Sequence, residues 1–125
     1  MNSDYLVHLS EIWFNLINLG LKTVEGRLNK GDFSKMNVGE VIEWINDDFN
    51  ERTCFTEIVH KRSCLTKIIA KTEYKSIEDY LKGEGLDNCL PGIPSLEHGL
   101  NLSYKYFTKE DEDKYGIVAI KIKLL

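Results

Sequence analysis

The stretch Gly20-Leu21-Lys22-Thr23-Val24-Glu25-Gly26-Arg27-Leu28 decides the fold. Gly20 closes an apolar segment, and a lysine, a carboxylate and an arginine follow in quick succession. Two glycines and the β-branched pair Thr23 and Val24 favour extended backbone at the end of the stretch. Alternate side chains of an extended chain share a face. Thr23, Glu25 and Arg27 are therefore expected on one side, with Val24 and Leu28 on the other. Lys22 sits at the turn, where alternation does not fix its direction. The result is a small polar constellation at a turn-to-strand junction beside an apolar wall.

Upstream, Tyr5 to Leu9 reads as a first strand, and Ser10 is placed to cap the helix after it. Ile12, Leu16 and Leu19 recur at helical spacing, with Trp13 and Ile17 widening the apolar stripe. Gly20 suits the position just past the last turn. The carbonyls at such a helix end favour a nearby cation, which gives Lys22 a structural role beside any chemical one.

Downstream, Asn29 to Asn37 reads as a loop carrying Lys30 and Lys35. Val38 to Asn46 reads as a strand, with Ile42 and Trp44 on one face and Val41 and Ile45 on the other. Asp47-Asp48-Phe49-Asn50 reads as a polar turn. Cys54 to His60 and Cys64 to Lys71 read as two strands joined by Lys61-Arg62-Ser63. Ser76 caps a helix, with Asp79 in an approximate capping box and Gly83 and Gly85 at its end. Leu86 to Leu90 makes one more turn before the break at Pro91-Gly92. Ser95 opens a helix whose Leu96, Leu100, Tyr104 and Phe107 share a face, and Thr108 caps another ending at Tyr115. Gly116 leads into a last strand with Val118, Ile120, Ile122 and Leu124 inward and Lys121 and Lys123 outward. Strands come first, in the middle and last, with helices between. This is an α+β order, and a small mixed β-barrel with inserted and flanking helices satisfies it.

The spacing glycine, any residue, lysine, two residues, glutamate, any residue, arginine resembles the signature of the ASCH domain family of the PUA-like superfamily. Gly20, Lys22, Glu25 and Arg27 fill those places. Leu9-Ser10-Glu11-Ile12-Trp13-Phe14 is also similar to the family's segment before the motif, although many members carry proline where Ile12 stands. Tyr115-Gly116-Ile117-Val118-Ala119-Ile120-Lys121-Ile122 is similar to the family's final strand. The resemblance implies a PUA-like barrel over nearly the whole chain. It also implies a cleft for RNA or a nucleotide. In one branch, an amidohydrolase acting on acetylated cytidine, the nucleophilic threonine of the motif falls at the place Glu25 holds here, not at Thr23. That departure counts against the same mechanism. Other branches are linked to RNA cleavage.

Length and composition bound the rest. At 125 residues the chain is expected to be one domain, 1–125, large enough for a core. Its 42% hydrophobic and 29% charged residues fit a globular protein. No apolar run approaches a membrane span, and the N-terminus lacks the features of a secretory signal, so a cytoplasmic location is expected. Cys54, Cys64 and Cys89 are odd in number and widely spaced, which disfavours both a zinc site and a disulfide framework. No residue pattern asks for a metal or an organic cofactor. The net charge of −4 argues against a protein coated in nucleic acid. Residues 52–75 nonetheless set six cationic side chains against two carboxylates, and Glu110-Asp111-Glu112-Asp113 reads as a solvated acidic face.

The candidate site is thus Lys22, Thr23, Glu25, Arg27 and Trp13 for ligand binding, with Lys22 and Glu25 as the catalytic pair if the cleft turns over substrate. Lysine and arginine suit phosphate, and a carboxylate suits the exocyclic amine of a base. Glu25 and Arg27 can equally be a structural ion pair. Trp13 is the stacking candidate, with Tyr104, Tyr106 and Phe107 behind it, since aromatics at helical spacing are more often core. Ser10 and Asn88 are candidate polar rim groups. His8, His60 and His98 form no motif and read as ordinary histidines. Two readings from different classes follow: a module binding RNA or a nucleotide through a single-stranded or modified base, and a hydrolase using the same cleft on RNA or a modified nucleoside. A third is an interaction domain whose motif is purely structural.

Overall fold

The apolar run Ile117-Val118-Ala119-Ile120 is buried at every position, so the last strand needs cover on both faces. The computed structural model, which describes residues 2–52 and 57–125 and the side chains of residues 2–47 and 61–125, supplies it with two separate layers. The elements in chain order are β1 (Tyr5–His8), α1 (Glu11–Asn18), β2 (Val24–Leu28), α2 (Gly31–Lys35), β3 (Val41–Arg52), β4 (Glu57–Tyr74), α3 (Ile77–Glu84), α4 (Leu86–Cys89), α5 (Leu96–Ser103), α6 (Lys109–Tyr115) and β5 (Ile117–Leu124). The strands form one curled sheet, a half-barrel, in the order β1-β3-β4-β5-β2. Among the described residues only β1 and β3 run parallel; the other pairs are antiparallel. β1 and the motif strand β2 are the two edges.

Register explains the two layers. Glu25 and Arg27 oppose Ile120 and Val118, while Gly26 opposes Ala119. Val118, Ile120 and Ile122 join Phe14 and Ile17 of α1, Ile42 and Trp44 of β3, Ile68 of β4 and Met36 in one core. Ile117 and Ala119 join Val24 with Ile77, Tyr80 and Leu81 of α3 and Cys89 of α4 in a second core on the opposite face. Leu96, Leu100, Tyr104 and Phe107 all pack against that second core, but the expected helix stops at Ser103: Tyr104 is its C-cap and Phe107 lies in the segment beyond it.

Several expectations need correction. Asp47-Asp48-Phe49-Asn50 is no turn: β3 runs on through a register shift between Asn46 and Phe49, so a bulge absorbs the polar residues. Lys61-Arg62-Ser63 is no connection either. It lies within the single strand β4, paired with Ile45 and Asn46, because the Arg62 guanidinium folds back onto α1. It reaches Asn15 and Asn46 at 3.0 Å each and lies 5.2 Å from the Phe14 ring. Cys54, the start of the expected strand there, is outside the described residues, as are the side chains of Arg52 and His60. The expected loop at 29–37 contains the short helix α2, and Lys71 donates to the carbonyls of Ser34 and Met36 at its end. Residues 38–40 form a turn, and β3 begins only at Val41. Gly83 lies inside α3, and Leu124 is exposed rather than inward. The acidic run is not wholly solvated. Glu112 is buried, accepts the Ile77 N–H at 2.9 Å at the start of α3, and takes the Tyr104 hydroxyl at 2.9 Å.

The second core holds tyrosines that resist ionisation. The hydrogen bond from Tyr74 to Glu84, then burial, pushes the Tyr74 phenol up to about 12. Burial, then the Glu112 hydrogen bond, does the same for Tyr104. Burial lifts Tyr80 well above its ordinary 10.0. The folded chain therefore keeps phenolic protons that the unfolded chain releases above about pH 10. Stability contributed by these groups is fully present below pH 10 and is lost as pH rises towards 12. We expect the urea midpoint to fall across that window, and to fall less steeply in Tyr104→Phe. A midpoint that is flat through the window would contradict this account.

Candidate functional site

Lys22 owes its position to the end of α1. The Leu21 and Lys22 N–H groups both donate to the Leu16 carbonyl at 3.0 Å, and Gly20 adopts φ +76° to make the reversal. The side chain then leaves α1 altogether. Its ammonium donates to the Val24 carbonyl at 2.7 Å and to the carbonyl of Cys89, the last residue of α4. It also lies 3.4 Å from Glu25 Oε1 and 5.7 Å from the centre of the Trp13 ring. The cation does sit at a helix C-terminus, but the helix is α4 and not α1.

Glu25 and Arg27 share a face of β2, as alternation predicts. Arg27 Nη2 lies 3.4 Å from Glu25 Oε2, so each carboxylate oxygen faces its own cation. The exposures are graded along this chain: the side chains of Lys22, Glu25 and Arg27 are 3%, 10% and 33% exposed. Arg27 is steadied from behind by Phe33 of α2, whose ring centre is 4.9 Å from the guanidinium carbon. The inner two charges are spoken for by protein groups, and the outermost is the one free to reach solvent.

All three heads line one cavity of about 380 Å³. It draws walls from both layers. Trp13 and the residues His8 to Ser10 come from the first layer, Tyr80 and Ser103 from helices α3 and α5 of the second, and Leu90, Tyr106 and Phe107 from the segments that follow α4 and α5. Trp13, Tyr106 and Phe107 are thus brought to it, while Tyr104 is not, being held by Glu112. Ser10 reaches it because its side chain makes no cap hydrogen bond to α1, contrary to its expected role. Asn88 is directed to the Glu84 carbonyl instead. Thr23 is not part of this cavity. It precedes β2, its N–H donates to the Asn88 carbonyl, and it lines a smaller cavity of about 210 Å³ that Lys22 also lines.

Residue patterns missed His8 and Tyr80. His8 ends β1, and only the parallel pairing of β1 with β3 carries it to the cavity. Tyr80 is on the buried face of α3 with Ile77 and Leu81, and its hydroxyl lies 3.5 Å from the Val24 carbonyl. Cys89 offers no nucleophile, since burial pushes its thiol up to about 11 despite the nearby Lys22 charge. Among the described residues no three His, Cys, Asp or Glu side chains gather as metal ligands, and no helix is long and apolar enough to cross a membrane.

Comparison with known proteins adds the following. The family model for the ASCH domain matches residues 7–125. The crystal structure of hypothetical protein PH0355 is similar with a TM-score of 0.78 at 29% identity, covering 97% of this chain and 98% of that one. The solution NMR structure of protein PF0455 from Pyrococcus furiosus is similar with a TM-score of 0.72 at 31% identity, covering 97% and 96%. No curated protein matches the chain.

Proposed function

This chain belongs to the ASCH domain family, and from that premise we propose that its cleft binds RNA or a nucleotide by a single-stranded or modified base. One observation carries the reading. A nearly buried carboxylate is held between two cations inside a largely apolar concavity. Burying such a group costs desolvation and adds little net stability, so fold alone is a weak reason to keep it there. With one cation at each oxygen, Glu25 is held in place and still has acceptor capacity left, which suits the exocyclic amine of a base. Arg27, the most open of the three, suits a phosphate. Trp13 and Phe107 offer apolar surface for a base, as single-strand binders do. The cavity lies at the low end of the roughly 300–1,000 Å³ typical of ligand sites, which suits a single base or nucleoside.

Binding fits this geometry better than hydrolysis. The Lys22 head group is engaged by two backbone carbonyls and Glu25, so it is occupied within the protein rather than turned towards a substrate. The test is titration with the four ribonucleoside monophosphates and a short mixed-sequence RNA. Nucleotides bearing an exocyclic amine are expected to bind more tightly than uridine monophosphate. Glu25→Gln is expected to weaken them by about tenfold, within the 1–3 kcal/mol of one good polar base contact. Arg27→Ala is expected to reduce the salt dependence of RNA binding without erasing the preference among bases. Equal binding of all four nucleotides by wild type and Glu25→Gln would overturn base reading. Product released from RNA or acetylated cytidine by wild type, and lost in Glu25→Gln, would make the protein a hydrolase.

A further inference from the structure

The basic segment seen in the sequence does not act as one band. Arg62 is folded onto α1 and Lys71 is held by carbonyls at the end of α2. Lys67 is different. It is exposed on the outer face of β4 and pairs directly with Lys123 of β5, with Lys121 two residues along on the same face. Like charges placed opposite each other across strands are destabilising. Among the described residues none of the three side chains makes an ion pair or a hydrogen bond, and Glu43, diagonal to Lys67, does not close on it. A chain of net charge −4 thus keeps three uncompensated cations together on one patch of sheet. The patch is not remote from the cleft. Lys123 lines the smaller cavity with Thr23 and Lys22, and Lys22 lines both cavities.

We propose that Lys67, Lys121 and Lys123 form a second contact surface for the phosphodiester backbone of the single-stranded RNA whose base enters the cleft. The inference rests on the reading of the cleft given above and extends it: the ligand is a polynucleotide and not a free nucleoside. Lys121 and Lys123 are two residues apart on one strand, a spacing that suits successive phosphates of an extended chain, and Lys67 opposite Lys123 widens the patch. None of the three lines the larger cavity, so a ligand confined to that cavity would not need them.

The test compares wild type with Lys67→Gln/Lys121→Gln/Lys123→Gln and with the matching triple arginine variant. The probes are a fluorescein-labelled mixed-sequence RNA oligonucleotide, cytidine monophosphate and polyglutamate. The glutamine variant is expected to bind the oligonucleotide at least tenfold more weakly at low salt. Its plot of log affinity against log salt is expected to flatten by about 2, the loss of three single-strand phosphate contacts. Its cytidine monophosphate binding and thermal midpoint are expected to match wild type, and arginine is expected to restore the oligonucleotide affinity. Unchanged oligonucleotide affinity and slope in the glutamine variant would overturn the proposal while leaving the cleft reading intact. Polyglutamate binding as tight as RNA would also overturn it, by making the partner an acidic polypeptide. Oligonucleotide binding that depends on the lysines, with no mononucleotide binding at all, would uphold this surface and sink the cleft. Wild type that binds no RNA would sink both.

Discussion

Lys22→Met is expected to cost about 3–5 kcal/mol of folding stability, the scale seen when one partner of a buried ion pair is removed. Lys22 is 3% exposed and its ammonium serves the Val24 carbonyl, the Cys89 carbonyl and Glu25 together. Methionine fills much of the same volume but leaves two carbonyls and a carboxylate without that donor. A loss of this size is a large part of the stability of a small domain. It reads out as a shift of the urea midpoint with an unchanged slope. Adding Glu25→Leu removes the stranded carboxylate. The double variant is therefore expected to recover part of the loss, though not all, since the two carbonyls stay unpaired. A coupling energy near zero between the two substitutions would show that the pair is not one unit. The double variant also separates structure from function. If it is folded and still binds RNA as wild type does, the motif is a structural clip and the proposed cleft is wrong.

How much of this was legible in the residues differs from element to element. Glu25 and Arg27 sharing a face follows from period-two alternation alone, and the structure agrees. Thr23 was placed with them by the same rule and is not there, because β2 starts one residue later and the Thr23 backbone is tied to α4 and β5. Lys22 was legible as a cation near a helix end, but its carbonyl partner Cys89 is 67 residues away, beyond any local pattern. The helices with a Ser or Thr cap were legible from that residue: Ser76, Ser95 and Thr108 accept the predicted backbone bonds. The long β3–β4 pair was not legible as such. Charged and polar clusters at 47–50 and 61–63 carry the signature of turns, and only tertiary partners such as Asn15 and Phe14 turn Arg62 into a strand residue. Alternation gave one face of β5, and Ile117 and Ala119 on the other announced the second layer only as an unexplained continuous apolar run.

The largest purely steric effect is expected at Gly26. A Cβ built there would lie 2.3 Å from Cζ and 2.4 Å from Cε2 of Tyr80, distances no packed side chain tolerates. Gly26 has no positive φ, so alanine's backbone preferences are not at issue; the ring alone excludes it. Tyr80 is 6% exposed and backed by the second core, so it cannot retreat. It can move only into the cavity that it and Gly26 both line. Gly26→Ala is therefore expected to destabilise by about 3 kcal/mol, the upper end of the usual overpacking range. It is also expected to weaken any ligand of the cleft, because the displaced ring takes the ligand's space. In a Tyr80→Leu background the same alanine is expected to cost less than about 1 kcal/mol, since the shorter side chain leaves room for the methyl group. Tyr80→Leu carries its own cavity cost, so the quantity to compare is the increment from Gly26→Ala in each background. Equal increments would mean that glycine is required at this edge strand for a reason other than the ring, and that the aromatic wall of the cleft is not what fixes the residue between Glu25 and Arg27.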